Sequence, residues 1–420
     1  MKKETICVQA GYESKNGEPR VLPIYQSTTY SYDSSEELAK LFDLSKEGHM
    51  YSRISNPTVE CVEKKVAVLE GGVGAMMTSS GQAASLISIM NITASGENFL
   101  CFSNLYGGTT NLFAVTLKKL GIEARFIDYT MSDEEIERHI DDKTRLLFAE
   151  TISNPSLEVL DIERYSSLAH RNGIPLIVDN TFATPILCRP FEFGADIVVH
   201  STSKYMDGHA EVVGGMIVDS GRFDWKDYPC LTEPDDSYHG VVYTKQFGAA
   251  AYITKARVQL MRDLGSTPSP FSAFLLNNGL ETLHLRMERH SQNALRVAEH
   301  LKNHPKVAWV SYPGLESDKY HALALKYLDN GYSSGVVSFG TVNGKKGATV
   351  FMDSLRLAKI CVHVADLRTC VLHPASTTHR QLTDEQLIKA GVKPEFIRFS
   401  TGIENIDDII ADIDQALEKI

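Results

Sequence analysis

Residues 175–204 read PLIVDNTFATPILCRPFEFGADIVVHSTSK. Two short apolar, β-rich runs, PLIVD and DIVVH, stand a helix-length apart. Each is apolar on both faces, as a strand covered by helices on both sides must be. The first ends at Asp179, followed by Asn180 and Thr181; just past the second come Ser201, Thr202, Ser203 and Lys204. A carboxylate and an ammonium at the ends of successive parallel strands face one crevice, where open α/β sheets bind ligands. On those two residues alone, a strand-end ion pair is the simpler account.

Working outward, the same alternation continues. FLCFSN, ARFIDY and RLLFAET are further short β-rich runs. The stretches GGTTNLFAVTLKKLG, SDEEIERHI and DIERYSSLAHRNG between them carry helical periodicity. TVECVEKKVAVLEGG reads as an amphipathic helix stopped at Gly71-Gly72, and GQAASLISIMNIT as a buried one. Strand–helix alternation over about 200 residues predicts an α/β domain with a mostly parallel sheet. Residues 1–60, rich in Pro, Ser and Tyr, predict an arm with one helical patch near Ser35–Leu44. Residues 221–244 break the alternation as an inserted loop. The helical tract from Ser269 to His304 leads into a smaller C-terminal α+β domain, with strands at VAWVSY, GVVSFGT, CVHV and FIRFS and a closing helix NIDDIIADIDQALEKI. The division is therefore 1–60, 61–265 and 266–420.

Composition narrows the chemistry. The 420 residues carry 42 Lys and Arg against 53 Asp and Glu, a net charge of −11, which argues against a nucleic-acid partner. No apolar run is long enough for a membrane helix, and the start, MKKETICVQAGYESK, lacks the apolar core of a signal peptide. Seven scattered cysteines without a CxxC suit free thiols in a reducing cytoplasm. The P-loop and HExxH patterns are absent from the sequence, and no GxSxG sits on a strand–turn–helix. His373 and His379 flank a loop without an evident third ligand, so no metal is expected.

What remains is an anion cradle. Gly71, Gly72 and Gly74 precede a Thr78–Gln82 turn that opens an apolar helix, and a helix start offers free N–H groups to a phosphate. A lysine, an anion cradle and a carboxylate together fit pyridoxal phosphate. Its aldehyde needs a desolvated primary amine, and its pyridine nitrogen needs an anion to stay protonated. Tyr106, in LYGGT, is placed to stack on such a ring.

Seven motifs then carry a resemblance. MYSRISNPT, EGGVGAMMTSSGQAA, LYGGTTNLF, ETISNPSLEVLDI, VDNTFATP, HSTSKYMDGH and HPASTTH resemble, in order, the Cys/Met-metabolism family of fold-type I pyridoxal-phosphate enzymes. FDWKDYPCLTEPDDSYHGVVYT and KARVQLMRDLG look like its O-acetylhomoserine sulfhydrylase branch. The resemblance implies the aspartate-aminotransferase-like fold. It implies Lys204 as the amine that holds the cofactor and moves protons, and Asp179 on the pyridine nitrogen. Asn154 would touch the ring hydroxyl. Gly81, Gln82, Ser201 and Ser203 would bind phosphate, and Tyr51 and Arg53 would reach the phosphate of a neighbouring subunit. Tyr106 would stack and assist departure of the leaving group, and Arg398 would grip the substrate carboxylate, with Asn154 beside it. It further implies a homotetramer of two dimers with shared sites. The implied reaction is γ-replacement, O-acetyl-L-homoserine plus sulfide (or methanethiol) giving L-homocysteine (or L-methionine) plus acetate. The alternative is a γ-lyase releasing 2-oxobutanoate, ammonia and a thiol. O-succinyl or O-phospho esters are not separated from the acetyl ester. Three departures stand out: Ser-Thr-Ser-Lys where the family commonly has Ser-Ala-Thr-Lys, the lyase-like loop YMDGHAEVVGG, and His363 where the branch often has Asn and the lyases Ser.

Overall fold

The computed structural model describes residues 1–377, 380 and 393–420. Thr378 and His379, which end the HPASTTH motif, lie outside the described residues.

Seven strands form the large sheet: β1 (Gly74–Thr78), β2 (Asn98–Phe102), β3 (Glu123–Ile127), β4 (Thr144–Glu150), β5 (Leu176–Asp179), β6 (Ile197–Ser201) and β7 (Gly215–Asp219), in the order β1-β7-β6-β5-β4-β2-β3. β3, β2, β4, β5 and β6 run parallel; β7 pairs antiparallel with β6, and β1 pairs antiparallel with β7 at the edge. Leu176, Ile177 and Val178 of β5 are fully buried. Each such side chain is worth roughly 1.5–3 kcal/mol of transfer free energy. That holds the strand in place and delivers Asp179 to its carboxyl end.

The helices begin and end where local chemistry requires. Helix Pro57–Glu70 starts on Asn56, whose side chain accepts from Thr58 N–H at 3.0 Å, and has proline in its first turn. It stops at Gly71, which adopts φ 80°, a left-handed conformation that glycine takes without strain. Helix Gly81–Met90 starts on Ser80, whose hydroxyl accepts from Ala83 N–H at 3.1 Å.

Five strands form the second sheet: β8 (Val307–Ser311), β9 (Val336–Thr341), β10 (Lys359–Ile360), β11 (Cys370–Leu372) and β12 (Phe396–Ser400), in the order β10-β11-β12-β9-β8. Helices Gly344–Ser354 and Ile406–Leu417 cover it around a core that includes Phe339, Phe351, Ile397 and Phe399.

Four expectations need correction. CVHV is not a strand: β10 ends at Ile360, Cys361 N–H still bonds the Val371 carbonyl at 3.3 Å, and residues 362–364 leave the ladder to line a cavity, with Val364 buried and Val362 exposed. The strands β1, β7 and β11 went unrecognised: β11 has only three residues, and β1 and β7 lie among glycines. Residues 1–60 hold a second helix, Lys3–Gln9, which packs Ile6 and Cys7 into the chain's own core while Lys3 Nζ donates to Ile186 O at 2.6 Å. The stretch 221–244 is not featureless. It makes short helical turns and an isolated bridge between Asp235 and Val241, and buries Trp225, Tyr228 and Tyr243.

Candidate active site

A cavity of about 360 Å³ opens at the carboxyl ends of β4, β5 and β6, where the parallel topology places ligand sites. Residues 362–364 and Arg398 of the second sheet form its other wall. Lys204, Asp179, Asn154, Tyr106, Gly81, Gln82, Ser201, Ser203 and Arg398 all line it. The strand-end reading thus brings distant segments together.

Asp179 accepts from Thr181 N–H at 3.0 Å and from the Thr181 hydroxyl. The parallel register sets Glu150 directly opposite it on β4. Glu150 accepts from the backbone N–H of Tyr106 at 2.7 Å and of Asn154 at 3.1 Å. Burial raises both acids, and the Asp179 charge pushes Glu150 further, well above the carboxylate range. Asp179 is raised less because Thr181 hydrogen bonds favour its anion. The pair shares its titration. Asp179 is therefore the carboxylate available to a cationic N–H.

Lys204 follows β6 by three residues, and its Nζ lies 3.3 Å from Nδ1 of His363. Burial, and then the nearby Arg398 charge, lower the amine to about 8. An amine in that range has a usable lone pair near neutrality.

The anion cradle sits between them. Neither Gly81 N–H nor Gln82 N–H has a protein acceptor among the described residues. A Cβ on residue 81 would stand 2.7 Å from Ser201 Cβ, so only glycine lets this helix start approach β6. Ser201 N–H donates to Thr181 Oγ1 at 2.8 Å, which leaves the Ser201 hydroxyl to the cavity. The Ser203 hydroxyl is engaged with Gly214, accepting its N–H at 2.9 Å and donating to its carbonyl at 3.2 Å.

Arg398 is 3% exposed. Its guanidinium donates to Asn154 Oδ1 at 3.2 Å and to the carbonyls of Val362 and His363, each at 3.3 Å. All three acceptors are neutral, and burial lowers its pKa. Among the described residues no carboxylate pairs with it. A buried, unpaired guanidinium costs several kcal/mol, which an incoming carboxylate offsets.

Tyr51 and Arg53 do not line this cavity. Tyr51 is 40% exposed, the Arg53 guanidinium lies 5.4 Å from its ring, and Arg53 also bonds the Arg262 carbonyl. Sequence reading passed over Glu150, although it ends a strand one position along the sheet from Asp179. It also passed over Thr181 as the Asp179 partner. His363 was noted only as a departure from the family pattern, and its contact with Lys204 spans 159 residues. His373 is structural, its ring bonded to Ser376 and the Pro394 carbonyl. The described residues contain no cluster of metal-binding side chains.

An amine of lowered pKa beside a free helix start, with Asp179 at the next strand end, makes this an α/β enzyme built around pyridoxal phosphate. Comparison gives the family. Residues 4–418 match the model of the Cys/Met metabolism PLP-dependent enzymes, and the chain belongs to that family. It is 45% identical over 430 residues to an O-acetyl-L-homoserine sulfhydrylase of Leptospira meyeri, covering all of this chain and 97% of the relative. It is 47% identical to a homocysteine synthase of Schizosaccharomyces pombe, over 99% of this chain and 98% of that one. A crystal structure described as an O-acetylhomoserine (thiol)-lyase of Campylobacter jejuni, carrying a pyridoxyl-lysine phosphate, superposes with a TM-score of 0.96 over the full length of both chains at 38% identity.

Proposed function

We infer that this chain is an O-acetylhomoserine sulfhydrylase: it converts O-acetyl-L-homoserine and sulfide to L-homocysteine and acetate, and accepts methanethiol in place of sulfide to give L-methionine. The buried Arg398 guanidinium, which faces only neutral acceptors in the cavity that Lys204 also lines, carries the reading of an amino-acid substrate, and the sulfhydrylase relatives support the choice of reaction. An α-amino acid brings the carboxylate that this group lacks.

The residues divide the work. Bound pyridoxal phosphate supplies an electron sink that makes protons on the substrate's α and β carbons acidic. Lys204 holds the cofactor and, once released as a free amine, moves those protons. Asp179 receives the pyridine N–H, and Glu150 keeps its own proton and so leaves Asp179 the charge. Gly81 and Gln82 N–H with Ser201 hold the phosphate, and Ser203 steadies the loop at Gly214. Asn154 orients Arg398 and would meet the ring hydroxyl. Tyr106, on the cavity wall, would cover the ring and assist the departure of acetate from the γ carbon.

The homotetramer is part of this proposal. Tyr51 and Arg53 sit on the arm away from their own cavity, in a stretch where Val21, Ile24, Tyr25 and Phe42 are exposed. Such a surface suits a neighbouring subunit's site. The division at residues 60 and 265 and a cytoplasmic location, suited to seven free cysteines, complete the reading. Among the described residues no helix is long and apolar enough to cross a membrane. The test is a substrate panel on purified enzyme. Homocysteine from O-acetylhomoserine should form faster than from O-succinyl or O-phospho esters, and faster than 2-oxobutanoate from methionine. The opposite order for methionine would make the chain a γ-lyase.

A further inference from the structure

Cys361 and Cys370 lie beside the cavity and play no part in the chemistry above. Parallel pairing sets Cys370 opposite Lys359, and Cys361 follows two residues later, so both thiols occupy one face of the sheet. Their sulfurs converge on a single atom: the His363 carbonyl oxygen lies 3.4 Å from Cys370 Sγ and 3.9 Å from Cys361 Sγ. The same oxygen accepts from Arg398 Nη2 at 3.3 Å. Among the described residues no other two cysteines share a hydrogen-bond acceptor. Cys370 is buried and Cys361 partly open. Hydrogen bonding from Cys370 lowers Cys361 to about 6, and Cys370 is raised in turn, so the pair presents one thiolate and one thiol.

We propose that Cys361 and Cys370 form a redox modification site, closed to a disulfide by a hydroperoxide, which loosens the Arg398 carboxylate clamp. The Cys361 thiolate attacks the peroxide oxygen; the O–O bond breaks, and an alcohol or water leaves after taking up a proton. The sulfur is left as a sulfenic acid. The Cys370 sulfur then attacks it, the S–O bond breaks, and water leaves with the Cys370 proton. Two electrons pass from the sulfurs to the peroxide, and a dithiol reductant reverses the change.

A two-residue offset across neighbouring strands is wider than a disulfide tolerates, so closure draws the backbone in. Cys370 is held in a strand paired with β12, whereas Val362 and His363 lie outside the ladder and Cys361 is tied to it by one bond, its N–H to the Val371 carbonyl at 3.3 Å. The 361–363 segment therefore moves, and with it the two carbonyls that orient Arg398. The consequence for catalysis rests on the reading that Arg398 binds the substrate carboxylate.

The test uses the cofactor-loaded full chain, treated with graded hydrogen peroxide and mapped by unreduced peptide mass spectrometry. A Cys361–Cys370 linked peptide is expected, with KM for O-acetylhomoserine rising about tenfold, the loss of one hydrogen bond to a charged group, while kcat changes less. Dithiothreitol should restore KM, and C370S and C361S should each keep their KM under peroxide. The proposal is overturned if no linked peptide forms, if it forms with KM unchanged, or if both serine variants respond as wild type does. The peptide map is read independently of turnover. Failure of untreated enzyme to make homocysteine would instead overturn the assigned reaction.

Discussion

Nζ of Lys204 stands 3.3 Å from Nδ1 of His363, across 159 residues of chain. Burial and then the Lys204 charge hold His363 down at about 4, so it accepts a hydrogen bond from the ammonium without competing for its proton. Lys204 itself is lowered to about 8. Below that pH the amine is protonated and has no lone pair for an aldehyde. The rate at which cofactor-free enzyme takes up pyridoxal phosphate should therefore rise with pH, by about tenfold per unit well below the midpoint, and level off above about 8. Stopped-flow absorbance reads this directly; a midpoint near the ordinary lysine value would contradict the buried setting.

Arg398 contributes to that depression, so R398Q should move the Lys204 midpoint upward. The same change removes the carboxylate clamp, and KM for the ester should rise by about 10²-fold, the loss of roughly 3 kcal/mol from a charged bidentate contact. Thermal stability should hold or increase, because the guanidinium is buried without a charged partner. A fall in melting temperature with KM unchanged would make Arg398 a structural residue.

Asp179 and Glu150 face each other across β5 and β4 with unlike roles. D179N should cost turnover about 10²-fold or more, since an amide cannot hold the ring cationic. E150Q should keep the cofactor and most of the activity, because Glu150 acts with its proton on. Equal damage from both substitutions would show that the pair works as a unit.

G81A tests the cradle. The added methyl meets Ser201, 2.7 Å away, so the helix start must retreat from β6. Cofactor affinity should fall while the far-ultraviolet circular dichroism of the chain stays unchanged. Undiminished affinity would place the phosphate elsewhere.

The reach of the sequence follows from chain distance. Asp179 and Lys204 were legible because one strand–helix–strand stretch carries both, and each marks a strand end. Gly81 was legible because a glycine-flanked turn opening an apolar helix has few other uses. Arg398 needed the family motif, since nothing local distinguishes a strand arginine that clamps a substrate from one in a salt bridge. Glu150 and His363 act through sheet register and a contact spanning 159 residues, which periodicity does not encode. CVHV misled for the same reason: its alternation serves the cavity wall, where Val364 packs inward and His363 meets Lys204, rather than a strand ladder.

The account depends most on the amine of Lys204. Homocysteine formation from O-acetylhomoserine and sulfide should be measured for wild type and K204A side by side, both supplied with pyridoxal phosphate. Wild type should turn over, and K204A should lose about 10³-fold or more in kcat together with the visible absorbance of lysine-bound cofactor. A K204A enzyme as active as wild type would contradict the assignment of this site.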